Sequence, residues 1–112
     1  MPWSSFRLEL MSAEPIWSKT EYQFDRDHPT ADGHFPNNPI IPGALLLDHV
    51  LCIIGSTAPM ALRFVKFLRV VRPGDRIEIR WRSDVDRRVV FECWLQAAEQ
   101  MVLSGALMPI DR

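Results

Sequence analysis

The chain has 112 residues, of which 47% are hydrophobic and 24% are charged, and its formal net charge is −1. This length corresponds to one domain, residues 1–112, and a net charge so close to zero does not favour binding to nucleic acid. No apolar run approaches the ~20 residues that span a bilayer, and the N-terminus does not resemble a secretion signal. We therefore expect a cytoplasmic protein outside the membrane, with Cys52 and Cys93 as reduced thiols and not metal ligands.

The first forty residues predict two strands followed by a loop. Residues 5–10 favour a short first strand, and residues 16–24 favour a second one. Residues 25–41 are rich in Asp, Asn, Gly and Pro, which is typical of a loop. In the second strand, alternate residues share one face: Ile16, Ser18, Thr20, Tyr22 and Phe24.

The next segment predicts one long apolar helix. We expect it to begin at Pro42 or Gly43, because proline suits a first helical turn, and to end near Gly55 and Ser56. The segment is apolar on nearly every side, so we expect other structure to enclose the helix. Asp48 interrupts the apolar run, and burying a carboxyl group there is costly unless the protein needs it.

The second half of the chain predicts antiparallel strands joined by short turns. The apolar and polar residues alternate cleanly in residues 76–82, where Ile77, Ile79 and Trp81 share a face. The other predicted elements are a mixed segment at 63–71, a Pro-Gly-Asp turn at 73–75, a hairpin turn at 83–87, and strands at 89–97 and 101–108. One apolar helix among antiparallel strands indicates the α+β class, with the helix packed on a sheet.

Charge is distributed unevenly along the chain. Residues 61–90 hold nine basic and four acidic residues, which gives +5, whereas residues 1–60 give −4. Two interpretations follow: solvated faces of strands, or a basic docking surface for an acidic partner.

The loop and the start of the helix contain the most informative pattern in the sequence. The pattern is Gly-His-Phe-Pro at 33–36, a short spacer, and then Pro-x-x-Pro-Gly-x-Leu-x-x-Asp at 39–48. It resembles the active-site signature of the (3R)-3-hydroxyacyl-[acyl-carrier-protein] dehydratases of bacterial fatty acid synthesis. Residues 66–75 are similar to the strand and Pro-Gly-Asp turn that follow the central helix of that family. The resemblance implies a hotdog fold, in which an antiparallel sheet wraps around one long helix.

The dehydratase resemblance implies a role for each residue of the pattern. His34 is the candidate base that removes a proton from C2, since an imidazole titrates close to neutral pH. Asp48 is the candidate acid for the leaving hydroxyl, provided that burial among its apolar neighbours keeps it protonated. The backbone N–H groups of Gly43 and Ala44 begin the helix, so they are candidate donors to the thioester oxygen. We expect His49 to serve in helix packing or at an interface.

The resemblance also implies the substrate, the partners and the assembly. The substrate is carried on the phosphopantetheine arm of an acyl carrier protein, and no cofactor is required. In the family, the histidine of one subunit meets the acid of the other, so we expect a homodimer or higher oligomer, or a heterodimer with a paralogue. The acyl chain would lie in an apolar tunnel along the helix, entered past Phe35 and Pro36.

Three features depart from the family pattern. The acid is Asp48 where the larger branch has Glu, Cys52 stands where a glutamine is common, and we expect the N-terminal helix to be missing. A divergent member of this kind suits a specialised pathway such as polyene or aryl-polyene synthesis. Two alternatives stay open: a hotdog thioesterase that uses Asp48 and a water, and a non-catalytic subunit that binds the acyl carrier protein.

Overall fold

Five antiparallel strands form one sheet, and a single helix packs on its inner face, in the part of the chain that the structure describes. The computed structural model describes residues 16–27, 40–56 and 58–110. The strands follow the order β1-β3-β4-β5-β2 across the sheet. In chain order the elements are β1 (Ser18–Gln23), α1 (Gly43–Ile54), β2 (Met60–Phe67), β3 (Arg76–Ser83), a short 3₁₀ helix (Val85–Arg87), β4 (Val89–Leu95) and β5 (Gln100–Pro109).

Helix α1 has the predicted limits. Pro42 precedes it with an extended backbone (φ −57°, ψ 140°), and its carbonyl oxygen accepts a hydrogen bond from Leu46 N at 3.0 Å. After Ile54, Gly55 takes the left-handed conformation (φ 60°), and its N–H donates to the carbonyl of Leu51 at 3.1 Å. Glycine adopts the left-handed conformation at little energetic cost, which is why Gly55 marks the end of the helix in the sequence.

The core lies between α1 and the inner face of the sheet. Leu46 and Val50 of the helix are fully buried against it. Gly105 of β5 lies opposite Phe91 of β4, and a Cβ atom on Gly105 would come within 2.5 Å of the Phe91 ring. The glycine therefore makes room for Phe91, a buried aromatic side chain of the core. The buried residues that the strands contribute include Ile77, Ile79, Phe91, Cys93, Val102, Leu103 and Leu107.

The helix is not enclosed on all sides, so that prediction is wrong for the single chain. One face of α1 is exposed, although the segment is apolar almost throughout. Apolar composition shows that a surface will be covered, but it does not show whether the same chain covers it. The exposed residues are Ala44, Leu45, Asp48 and Cys52.

The strand predictions are confirmed for β1, β3, β4 and β5, with ends that differ by one or two residues. For β2 the predicted limits, 63–71, are wrong, because the strand is Met60–Phe67. This strand ends the described sheet and pairs only with β5, with a register shift between Leu62 and Phe64. Most of its side chains are exposed on both faces, so it lacks the alternation that marks a half-buried strand. The strand predicted at 5–10 lies outside the described residues.

Candidate active site

Asp48 lies on the exposed face of α1, between Ala44 one turn before it and Cys52 one turn after it. Residues four apart lie above one another on a helix, about 6 Å apart along the axis. We call these three residues the exposed stripe. The stripe therefore presents a carboxyl group one turn beyond the N-terminal end of the helix.

The predicted burial of Asp48 among Leu45, Leu47, Leu51 and Cys52 is wrong for the single chain. Asp48 and Cys52 are both exposed, and Leu45 is 38% exposed. These neighbours in sequence do not surround the carboxyl group, because adjacent residues of a helix point in different directions. Any burial of Asp48 must come from outside the described part of this chain.

The start of α1 carries the two predicted backbone donors. Pro42 provides no side-chain cap, so the helix itself leaves the N–H groups of Gly43 and Ala44 without acceptors. The positive end of the helix dipole lies at the same place. The ring of Phe67, the last residue of β2, packs beside Gly43: a Cβ atom there would lie 3.0 Å from Phe67 Cε1. Phe67 is not among the residues predicted for the site, although it lies in residues 66–75, the second segment similar to the family.

His34, Phe35 and Pro36 lie in residues 28–39, outside the described residues. The structure therefore does not show how His34 stands relative to Asp48, and the roles of all three residues stay predictions.

The side chain of His49, a residue of α1, packs against aromatic side chains at the end of β1, which agrees with the packing role expected for it. Its ring centroid lies 3.9 Å from that of Tyr22 and 5.7 Å from that of Phe24. Its Nε2 atom is buried without a hydrogen-bond partner among the described residues. Burial lowers the pKa of His49, and the neighbouring Asp48 carboxylate opposes this change. The His49 ring thus packs the helix that carries Asp48 against the strand that precedes residues 25–40.

Part of the basic charge in residues 61–90 is neutralised on the outer face of the sheet. Arg80 pairs with Glu78 and lies over the Trp94 ring at 4.8 Å. Arg82 lies 5.0 Å from the Trp17 ring centroid and 3.6 Å from Asp84. These side chains support the interpretation as solvated strand faces.

Two further basic residues, Arg69 and Arg72, line a cleft near the start of α1. This open cleft of about 510 Å³ borders Phe67, whose ring also contacts the Gly43 position. The cleft thus combines apolar residues with two arginines, and Phe67 connects it to the start of α1. Its lining consists of Phe67, Leu68, Arg69, Val70, Arg72, Leu95 and Gln100.

Comparison with known proteins identifies the family. A family model described as ApeI dehydratase, ApeI-like, matches residues 12–106. The 3-hydroxyacyl-[acyl-carrier-protein] dehydratase FabZ of Saccharophagus degradans is 31% identical over 97 residues, covering 71% of this chain and 67% of that enzyme. The chain thus spans about two thirds of the length of this curated relative. Both matches confirm the resemblance to 3-hydroxyacyl thioester dehydratases.

Solved structures confirm the predicted hotdog fold. The dehydratase heterocomplex ApeI:P from Xenorhabdus doucetiae superimposes with a TM-score of 0.69 at 19% identity, covering 88% of this chain and 100% of that chain. The (R)-hydratase from A. caviae involved in PHA biosynthesis gives a TM-score of 0.64 at 14% identity, covering 88% and 98%. At these identities the likeness concerns the fold alone. The described residues contain no helix with the length and apolar character needed to cross a membrane.

Proposed function

The chain belongs to the ApeI-like dehydratase family, and we propose that it converts a (3R)-3-hydroxyacyl thioester on an acyl carrier protein into the trans-2-enoyl thioester and water. The single observation that carries this proposal is the exposed stripe of α1. The stripe presents Asp48 one helical turn after the N–H groups of Gly43 and Ala44. Because the chain belongs to a family of dehydratases, these groups are the candidates for the dehydration chemistry. We expect the reaction to take place in the cytoplasm.

In the proposed reaction His34 takes the proton from C2, and the electrons of that C–H bond form the C2–C3 double bond. Asp48 gives its proton to the C3 hydroxyl group, which leaves as water. The N–H groups of Gly43 and Ala44 donate to the thioester oxygen while negative charge builds on it. The next turnover begins after the proton on His34 has passed to Asp48, directly or through solvent, so that both groups regain their starting states.

The spacing along α1 suits this substrate. The thioester oxygen and the 3-hydroxyl oxygen are separated by three carbon atoms. The backbone donors and Asp48 are about one helical turn apart, about 6 Å along the axis. A side chain at position 48 reaches back toward the N-terminus of its helix, so one substrate can contact both groups.

Two features support a second subunit at this site. Asp48 needs an environment that excludes water if it is to keep its proton, and the single chain leaves it exposed. The neighbouring edge strand β2 leaves Leu62 and Phe64 exposed, at 42% and 47%. A strand edge with exposed apolar side chains is a surface that proteins normally cover. We propose that a second copy of the chain, or a paralogue, covers both and brings its own His34 to Asp48.

We propose that the acyl carrier protein docks beside the cleft that contains Arg69. Acyl carrier proteins are acidic, and the cleft places basic side chains next to the start of α1. Arg69→Glu should raise the KM for a 3-hydroxyacyl carrier protein severalfold, since charge complementarity mainly governs encounter. A small 3-hydroxyacyl pantetheine thioester, which lacks the carrier, should react with the variant as with wild type. Equal effects on both substrates would contradict docking at this cleft.

Mass spectrometry of a purified reaction tests the proposed function directly. The protein is incubated with a 3-hydroxyacyl carrier protein, with His34→Ala as the control for contaminating activity. Loss of one water from the acyl group in the wild-type reaction alone supports the proposal. Release of the free 3-hydroxy acid would instead identify a thioesterase, and an unchanged substrate would favour a non-catalytic subunit.

A further inference from the structure

We propose that the turn at residues 72–75 is a positioning element of the active site, and that Asp75 is its central positioning residue. This inference rests on the proposed function. The turn and Val71, the residue just before it, bond to Phe24 and Ile41, which flank the segment that carries His34, residues 25–40, and Ile41 leads directly into the helix that carries Asp48.

The first end of the segment is fixed by backbone hydrogen bonds in both directions. Phe24 N donates to the carbonyl of Asp75 at 3.1 Å, and Gly74 N donates to the carbonyl of Phe24 at 2.9 Å. The Gln23 side chain adds a bond from Nε2 to the Gly74 carbonyl at 3.2 Å. Phe24 itself is 2% exposed, so this end is held by packing as well as by hydrogen bonds.

The second end of the segment is fixed by the residue just before the same turn. Ile41 N donates to the carbonyl of Val71 at 2.6 Å, as an isolated antiparallel bridge. Both residues are buried in the core. Since Ile41 lies two residues before Gly43, this bridge also fixes where α1 begins and where its first N–H groups lie.

The turn is braced internally by Asp75. Arg72 N donates to Asp75 Oδ2 at 2.8 Å, and Asp75 N donates to the Arg72 carbonyl at 3.0 Å. Gly74 has a φ of 93°, which favours glycine. Pro73 restricts φ between them. The bond from Arg72 N to the Asp75 carboxylate is therefore a contribution within this turn that a single side-chain substitution at Asp75 can remove.

One short stretch of chain, residues 71–75, therefore helps to position both the segment that carries His34 and the helix that carries Asp48. Val71 and Asp75 are four residues apart, which limits the distance between their Cα atoms to roughly 14 Å. A distortion of the turn should therefore displace Phe24 and Ile41, which flank the His34 segment. Through Ile41 it should also displace the start of α1. Misplacement of a catalytic group by about 1 Å costs up to about 100-fold in rate.

The hairpin turn at Asp84 offers a matched control. It lies at the other end of β3, and it is also braced by an aspartate, which accepts a hydrogen bond from Arg88 Nη2 at 2.5 Å. In addition, Arg88 N donates to the carbonyl of Val85 at 3.1 Å. Neither end of the His34 segment bonds to this turn in the described structure.

The experiment compares Asp75→Ala, Asp75→Asn and Asp84→Ala in the full chain. Asp75→Ala should lower kcat by about tenfold or more, with KM little changed, because the groups are misplaced and binding surface is kept. Asp75→Asn should restore kcat, since the amide oxygen can accept the bond from Arg72 N. Asp84→Ala should keep the wild-type kcat, even if its melting temperature falls as far as that of Asp75→Ala.

Amide hydrogen exchange provides a readout that does not depend on activity. The N–H groups of Phe24 and Ile41 should lose protection in Asp75→Ala and keep it in Asp84→Ala. Unchanged protection, an unchanged kcat in Asp75→Ala, or an equal loss of kcat in Asp84→Ala would each overturn the proposal. A wild-type protein without dehydratase activity would refute the proposed function, whereas the exchange measurement would still decide whether the turn holds both ends.

Discussion

Replacing Asp48 by asparagine should separate catalysis from stability. The substitution keeps the size of the side chain and its ability to form hydrogen bonds, but the amide cannot deliver a proton to the leaving hydroxyl group. The loss of a general acid lowers turnover by 10²–10⁴-fold, which corresponds to about 3–5 kcal/mol in the barrier.

The structure predicts almost no cost in the folding of the single chain for the same change, and in the proposed dimer a covered, protonated Asp48 is replaced by a neutral side chain of the same size. Asp48 is exposed on α1, and none of the ion pairs in the described residues involves it. Surface substitutions of this kind usually change the free energy of unfolding by less than about 0.5 kcal/mol. For a chain of this length, that corresponds to a change in melting temperature of less than about 3 °C.

Turnover of a 3-hydroxyacyl carrier protein and thermal melts should be measured on the same preparation of Asp48→Asn. The control is Asp86→Asn, since Asp86 is also exposed and has a φ of 58°, which asparagine tolerates well. The control should match wild type in both assays. If Asp48→Asn kept more than about a tenth of wild-type turnover, the general-acid role would be wrong. A loss of several kcal/mol in stability would mean that Asp48 is a structural partner in the folded protein.

Three further predictions concern residues around the site. Gly43→Ala should lower turnover about tenfold or more, because a methyl group intrudes where the thioester approaches. Its melting temperature should hardly change, since the three described atoms nearest to the methyl group belong to the half-exposed Phe67 ring, which can shift, and a large destabilisation would contradict this. Burial lowers the pKa of His49, so its contribution to stability is present above its unfolded pKa of about 6.5 and is lost as pH falls below that value. Urea titrations should therefore show a flatter loss of stability between about pH 7 and pH 5 in His49→Phe than in wild type, and equal slopes would refute the assignment. Iodoacetamide should alkylate Cys52 before Cys93, since Cys52 is exposed in the single chain and burial raises the pKa of the Cys93 thiol to about 12; peptide mass spectrometry that finds Cys93 modified first would disagree.

The sequence predicts those elements whose signal is local. The limits of α1 follow from Pro42 and Gly55, and the alternation of Ile77 and Ile79 marks β3, because each signal arises within a few residues. The limits of β2 were wrong because an edge strand is fixed by its pairing with β5, and its own side chains show no clear face.

Only part of the candidate site could likewise be predicted from local signals in the sequence. The pattern of residue types predicts Asp48 and the N–H groups of Gly43 and Ala44 as candidates, and the structure places them about one helical turn apart on α1 because the spacing along one helix is fixed. The exposure of Asp48 could not be predicted, since hydrophobic periodicity does not distinguish a surface covered by the same chain from one covered by a partner. The role of the turn at Asp75 depends on hydrogen bonds to Phe24, which is about fifty residues away in sequence.

A complementation experiment tests the central claim, a dehydratase site that joins His34 of one subunit to Asp48 of another. His34→Ala and Asp48→Asn are each purified, shown to be inactive, mixed under conditions that exchange subunits, and assayed with a 3-hydroxyacyl carrier protein. A shared site predicts that the mixture regains about a quarter of wild-type activity, because half of the dimers are mixed and each of these has one intact site. A mixture that stays inactive after subunit exchange has been demonstrated would contradict the shared site.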